Sequence, residues 1–178
     1  VLFRSYGDLI IVSGMTYSST GTSIIFAATS GTKTINFANK TIGDYVTING
    51  SGGTFQLGNN VTSSYATSPL TITAGTLDLS GYTFTASAGS VYFNGGNLTF
   101  NAGIVSVAND VNSVSGFTTT AGSGTGKIKI AKASGSSFFT SGGNTFNCTV
   151  EIQNNIQAIF ADSGTISRSE EHTSELQS

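Results

Sequence analysis

The chain has 178 residues, room for one ordinary domain, and Ser (26), Thr (26), Gly (23) and Asn (14) make up half of it. Only 9% of residues are charged, the net charge is −2 and 38% are hydrophobic. That combination excludes a disordered chain and a long helical or coiled-coil protein, and it gives no electrostatic case for binding nucleic acid or an anionic membrane. A turn-rich all-β chain of small residues remains.

The first five residues, Val1-Leu2-Phe3-Arg4-Ser5, pair with the tail in an unexpected way. Codons GTG CTC TTC CGA TCT encode Val1 to Ser5, and their reverse complement, AGA TCG GAA GAG CAC, encodes Arg168 to His172. Both ends resemble translated short-read sequencing adapter, which read-through on either side of an insert would leave there. Residues 1–5 and 168–178 are therefore set aside as non-native, with a disordered tail expected at 168–178. The native part, 6–167, is expected to be a fragment of a longer protein. It keeps five basic residues, all Lys, and six acids, and neither Arg nor His.

The first apolar runs, Leu9-Ile10-Ile11-Val12 and Ile24-Ile25-Phe26-Ala27-Ala28, have the length of buried strands, far below a membrane span. From there short apolar-x-apolar triplets recur with strand periodicity. One track runs Ile35-Asn36-Phe37, Phe55-Gln56-Leu57, Leu77-Asp78-Leu79 and Leu98-Thr99-Phe100, at spacings of 20, 22 and 21. A second runs Val46-Thr47-Ile48, Leu70-Thr71-Ile72 and Val91-Tyr92-Phe93, at 24 and 21. A third follows through Ile42, Val61, Phe84 and Val105, at 19, 23 and 21. Turn residues separate the triplets at 49–53, 58–60, 80–81 and 94–96.

Three tracks in phase predict a parallel β-solenoid of about six coils, with roughly 21 residues and three short strands per coil. Inward apolar residues of successive coils would then stack at the strand spacing of about 4.8 Å. Leu77, Leu98 and Phe55 should be buried in consecutive coils. The alternative is an antiparallel sandwich with hairpins at the same turns. It would pair residues 70–79 antiparallel.

The interval from Leu98 to Ile128 is nearly half as long again as one coil, and the excess falls around Asn109 to Gly126. That stretch predicts a loop bulging from the coil, either a plain spacer or a binding loop formed by Asn109, Thr118, Thr119, Thr120, Ser123 and Thr125. Lys127, Lys129 and Lys132 follow, expected as solvent-facing guards against edge pairing. The pattern resumes with Ile128-Lys129-Ile130 and Val150-Glu151-Ile152, 22 apart. Cys148 shares the inward parity of Phe146 and is expected to be a buried filler.

The strings Gly75-Thr76-Leu77-Asp78-Leu79-Ser80-Gly81 and Gly96-Asn97-Leu98-Thr99-Phe100-Asn101 resemble repeats of bacterial secreted β-helix proteins. These include autotransporter passengers, adhesin-like surface proteins and some phage tail proteins. The resemblance covers residues 23–160 and rests on composition and repeat style. It implies a right-handed β-helix, secreted or surface-displayed (a phage virion being the alternative), with a stalk or adhesive role.

Catalysis has little to work with. Acid–base chemistry needs converging groups; the native acids are Asp8, Asp44, Asp78, Asp110, Glu151 and Asp162, of which Asp44 and Asp110 fall in different registers. Asp78 aligns with Gln56 and Thr99, so no carboxylate stacks on it. Without a native His there is neither a Ser–His arrangement nor an ordinary zinc site, and the Gly-rich stretches lack the Lys-Ser/Thr ending of a phosphate loop. Sequons at Asn39, Asn49, Asn60, Asn97 and Asn147 follow from composition.

The expected function is therefore a non-catalytic structural or adhesive segment without cofactor. Glycans or host-surface proteins are its expected partners, and neither nucleic acid nor membrane insertion is foreseen. The rest of a longer chain would stack on both ends. The alternative is part of a carbohydrate-active β-helix enzyme or phage tail fibre whose active site lies elsewhere. An ice- or mineral-binding array would need Thr ladders more regular than these tracks suggest.

Overall fold

A computed structural model describes residues 2–18, 21–154, 156–162 and 164–171. Taken in chain order, the strands fall into successive coils. The first coil carries β1 (Leu2–Ser5) and β2 (Leu9–Ile10), and the second β3 (Ser23–Phe26), β4 (Thr32–Asn36) and β5 (Thr41–Ile42). Then come β6 (Tyr45–Leu57) with β7 (Val61–Ser63), and β8 (Leu70–Asp78) with β9 (Thr83–Ala86). The next coils hold β10 (Val91–Phe93), β11 (Asn97–Thr99) and β12 (Ile104–Val107), then β13 (Val111–Ser113), β14 (Thr118–Thr120) and β15 (Lys127–Ile130). The last are β16 (Ser136–Thr140) with β17 (Thr145–Ile152), and β18 (Gln157–Phe160) with β19 (Thr165–Glu171).

All pairings among the described residues are parallel and join one coil to the next. The molecule is a parallel β-solenoid, and its strands form three columns. In the first column one inward rank passes through Phe3, Ile24, Val46, Leu70, Val91, Val111, Phe139 and Phe160. Seven turns separate its two ends. β6 and β8 run unbroken from the first column into the second, and β17 and β19 from the second into the third.

Alternation explains the core. Inward positions such as Phe55, Leu77 and Leu98 stack in consecutive coils and are fully buried, as the tracks predict. β8 pairs in parallel on both sides, which disposes of the antiparallel sandwich. Each fully buried Leu, Val or Phe of this kind contributes about 1.5–3 kcal/mol. The rings of Phe93 and Phe117 stack at 4.6 Å, and Phe139 meets Phe146 edge-on at 5.0 Å.

Corners differ because they solve different steric problems. Between the first and second columns the backbones of successive coils nearly touch. A Cβ on Gly75 would lie 2.2 Å from the Gly50 carbonyl oxygen, and one on Gly96 2.5 Å from that of Gly75. Only glycine fits such a stack. Between the second and third columns, Tyr82 donates its N–H to the Leu79 carbonyl across Ser80 and Gly81, both at positive φ. Phe37–Lys40 and Phe100–Gly103 repeat this bonding with Ala38-Asn39 and Asn101-Ala102 at positive φ. Positive φ at both central residues is the type I′ pattern, which turns the chain tightly.

Two register assignments from the sequence need correcting. Phe55 sits over Lys33, so Ile35 pairs with Leu57, and Ile42 pairs with Ser63 instead of Val61. A two-residue slip preserves which side chains face inward, so period-two patterning cannot detect it. The inward slot beside Phe37 is taken by Asn59, whose Oδ1 accepts the Phe37 N–H at 3.0 Å. Being polar, Asn59 does not register as part of a track.

The anticipated long loop is also redistributed. Leu98 pairs with Thr119, an ordinary coil further on, and Ile128 pairs with Val105 in the third column. The wide coil is the next one, where the step from Val111 to Phe139 is the longest in the first column. Its surplus lies in the turn around Gly122–Thr125 and, more, after Ile130 in the stretch before β16. Arg168–Glu171, from the segment set aside as an adapter-derived tail, continue β19 along β17. An open strand edge offers the same backbone groups to any sequence. Residues 172–178 lie outside the described residues.

Candidate functional site

A shallow groove of about 570 Å³ lies where that wide coil begins, lined by Ala121, Gly122, Ser123, Gly124, Thr125, Asn147 and Cys148. Its origin is a mismatch between neighbouring coils. After β14 the chain makes a broad turn, whereas in the coil above β17 cuts straight from the second column to the third. The turn is left uncovered on that side. From below it is pressed onto its neighbour: a Cβ on Gly122 would meet Asn101 Oδ1 at 2.0 Å, and one on Gly126 the Phe100 Cβ at 2.1 Å. Ser123 N–H donates to Asn101 Oδ1 at 2.8 Å and fixes the turn in place.

Of the six residues singled out from the sequence, the structure brings only Ser123 and Thr125 into the groove. Thr118, Thr119 and Thr120 form β14 and not a bulging loop, because their alternation matches the strand below. Thr118 and Thr120 face outward and donate to Asn97 Oδ1 at 2.9 and 3.2 Å. Thr119 faces inward, its hydroxyl accepting from the Asn147 N–H at 2.7 Å and donating to the Thr145 carbonyl at 3.3 Å. Asn109 lies at another corner, donating to the Ala88 carbonyl at 2.7 Å. Asn147 is not legible in the sequence as a groove residue, because only the three-dimensional path of β17 brings it beside the turn. Its Nδ2 donates to the Thr119 carbonyl at 2.8 Å.

The groove offers hydroxyls, a carboxamide and bare backbone. Cys148 at its floor is buried, as its parity predicts. Burial pushes its thiol up to about 12, partly offset by a backbone hydrogen bond from Ile128. At neutral pH such a thiol stays protonated and is a poor nucleophile. No group of three or more His, Cys, Asp or Glu able to hold a metal ion occurs among the described residues.

The charged groups elsewhere act on the fold. Glu151 pairs with Lys127 at 3.1 Å and Lys129 at 3.9 Å, so these two lysines, expected to be solvent guards, bind across coils. Burial works against the Glu151 carboxylate. The Lys127 hydrogen bond, the two lysine charges and Gln153 outweigh it and hold the carboxyl below its ordinary value. Asp44 is buried and accepts from the Tyr17 hydroxyl and, at 2.6 Å, from the Thr22 N–H. Burial first, then the bond to Asp44 and its charge, raise the Tyr17 phenol. Asp162 accepts the Ser141 hydroxyl at 2.5 Å, and that bond, with the Ser141, Gly142 and Gly164 amides, holds its carboxyl below the usual range.

The second column presents the most ordered polar surface. Thr32, Thr54, Thr76, Asn97 and Thr118 stand in one outward rank. Thr34, Gln56, Asp78, Thr99 and Thr120 stand in a second rank beside it. The two-residue correction to the register is what sets Thr32 beside Thr54 and Thr34 beside Gln56 in these lines.

Comparison with known proteins adds no relative: no family model, no curated protein and no solved structure matches this chain. No helix of the described residues is long and apolar enough to cross a membrane.

Proposed function

We propose that this chain is a non-catalytic structural and adhesive segment of an extracellular or surface-displayed β-helix protein. The stacked coils form a stiff rod, and its outer faces hydrogen-bond weakly to glycans or host-surface proteins. The observation that carries this reading is the pair of outward ranks on the second column. Apart from Asp78, they set neutral hydroxyls and carboxamides at the inter-coil spacing of about 4.8 Å, a surface suited to polar, largely uncharged partners. The groove beside Ser123, Thr125 and Asn147 interrupts this face and supplies a concave point of attachment. Charge is sparse, and Glu151 is engaged by Lys127 and Lys129 across coils, which supports contact without acid–base chemistry.

A glycan array probed with the labelled chain tests the reading. Binding to neutral oligosaccharides, weakened by Thr54→Val and Thr76→Val together, is the expected result. Turnover of any array glycan would contradict the non-catalytic role. No binding by the folded chain would contradict the adhesive one.

A further inference from the structure

We propose that Asn94 is a site of spontaneous deamidation, converting in the folded chain to aspartate and isoaspartate at the corner that leads from the first column into the second. The dipeptide Asn-Gly occurs twice, at Asn49-Gly50 and Asn94-Gly95. A glycine after asparagine lets its backbone nitrogen approach the side-chain carbonyl carbon, because no Cβ stands in the way. Hydroxide from solvent removes the Gly95 amide proton, and the nitrogen attacks Asn94 Cγ. The new carbon–nitrogen bond closes a succinimide as the side-chain nitrogen, protonated by solvent, departs as ammonia. Water then adds to either ring carbonyl and opens it, leaving aspartate or, with the main chain routed through Cγ, isoaspartate. Asparagine and water give an acid and ammonia, with no oxidant or cofactor.

The structure separates two sites that the dipeptide alone makes equivalent. Asn94 is exposed and lies between β10 and β11, outside any strand. Its own N–H bonds the Ile72 carbonyl at 2.7 Å. Among the described residues neither its carboxamide nor the Gly95 N–H has a hydrogen-bond partner. The attacking and the attacked groups are therefore both free, and no bond has to break before they meet. Asn49 is exposed too, yet it lies inside β6 and pairs with Ala74. Gly50 is buried, and a Cβ there would stand 2.0 Å from the Ala28 carbonyl oxygen and 2.8 Å from the Phe55 ring. Gly95 is half-buried and meets only the Thr73 carbonyl, at 2.6 Å. Strand and core thus hold Asn49-Gly50 away from ring closure, whereas Asn94-Gly95 sits at an open corner. Each conversion adds a negative charge just before Asn97 of the outward rank, so the polar face grows more acidic as the chain ages.

Ageing the full chain in mildly alkaline buffer, folded and in denaturant, tests this, with each site followed by tandem mass spectrometry of peptic peptides. In the folded chain Asn94 should convert about tenfold or more ahead of Asn49, with isoaspartate among the products, whereas in denaturant the two should convert together. Anion exchange should resolve an acidic species that accumulates as Asn94 is consumed. Asn94→Gln, whose longer side chain closes a ring far more slowly, should keep the wild-type β circular dichroism and lose that species. The proposal is overturned if folded Asn94 stays intact over an interval that converts both sites in denaturant, or if Asn49 keeps pace with it in the folded chain. An acidic species forming at the wild-type rate in Asn94→Gln would overturn it equally.

Discussion

From Leu70 to Val107 every inward strand position is apolar, and the two coils there are tight, with Leu70 and Val91 one ordinary repeat apart. From Val111 to Ile152 the same solenoid widens at the long step between Val111 and Phe139, and its buried positions include Ser113, Thr119, Ser137, Thr149 and Glu151. In the first region stacking alone is enough, since apolar side chains of neighbouring coils need no particular partner. The second satisfies each buried polar group individually: the Ser137 hydroxyl donates to the Asn109 carbonyl at 2.5 Å, and Asn144 donates to the Ser113 hydroxyl at 3.0 Å. Its aromatic rings take up the extra width, Phe146 lying 5.9 Å from Phe117 and 5.0 Å from Phe139. A solenoid can thus change its contour where specific hydrogen bonds replace generic stacking. The groove sits at that change.

The strongest way to break the regular region is Leu77→Asp. It removes a buried side chain and places an unpaired carboxylate between Phe55 and Leu98, at a cost of about 4 kcal/mol or more. Thermal unfolding should show loss of the native transition at room temperature. In the wide coil, Phe146→Ala should cost about 3–5 kcal/mol in denaturant unfolding, since three rings lose a shared neighbour.

Glycine substitutions sharpen the contrast. Gly75→Ala combines a positive φ of 81° with a clash against the Gly50 carbonyl and should destabilise by more than about 2 kcal/mol. Gly143 has a φ of 77° but open space around a Cβ, so Gly143→Ala should cost only the backbone strain of about 1–2 kcal/mol. Thr119→Val keeps the shape and removes the hydroxyl that accepts the Asn147 N–H. About 1–3 kcal/mol should be lost, although the equivalent position one coil below is a leucine.

The smallest effect is electrostatic. The Glu151 carboxyl is held below its ordinary value in the folded chain, so its contribution is present above the unfolded value and fades as pH falls through the folded one. Glu151→Gln should flatten the stability–pH curve in that acid window and leave its shape above neutral pH unchanged. An unaltered acid slope in chemical denaturation would show that the lysine pair contributes nothing.

Much of this architecture is legible in the residues. Period-two apolar triplets at near-constant spacing identify three columns, and Leu77, Leu98 and Phe55 land where the tracks place them. Polar inward residues defeat the same logic. Thr119 and Asn59 occupy core slots through hydrogen bonds that no hydropathy pattern displays, so the wide coil reads as a loop and two registers slip by two. The groove is half visible: Ser123 and Thr125 sit in an obvious Gly-rich turn. Asn147 joins them only because β17 crosses a corner that the coil below it turns.

Spin labels on the outward rank of the second column test the stacked register most directly, with Cys148 replaced by Ala to leave only the introduced thiols. Pairs at Thr76 and Thr118, Thr54 and Thr118, and Thr32 and Thr118 span two, three and four inter-coil steps. Their distances should rise by about 4.8 Å per step, to roughly 19 Å for the longest pair once label length is subtracted. Distances that fail to increase along this series would contradict the parallel solenoid and the proposals built on it.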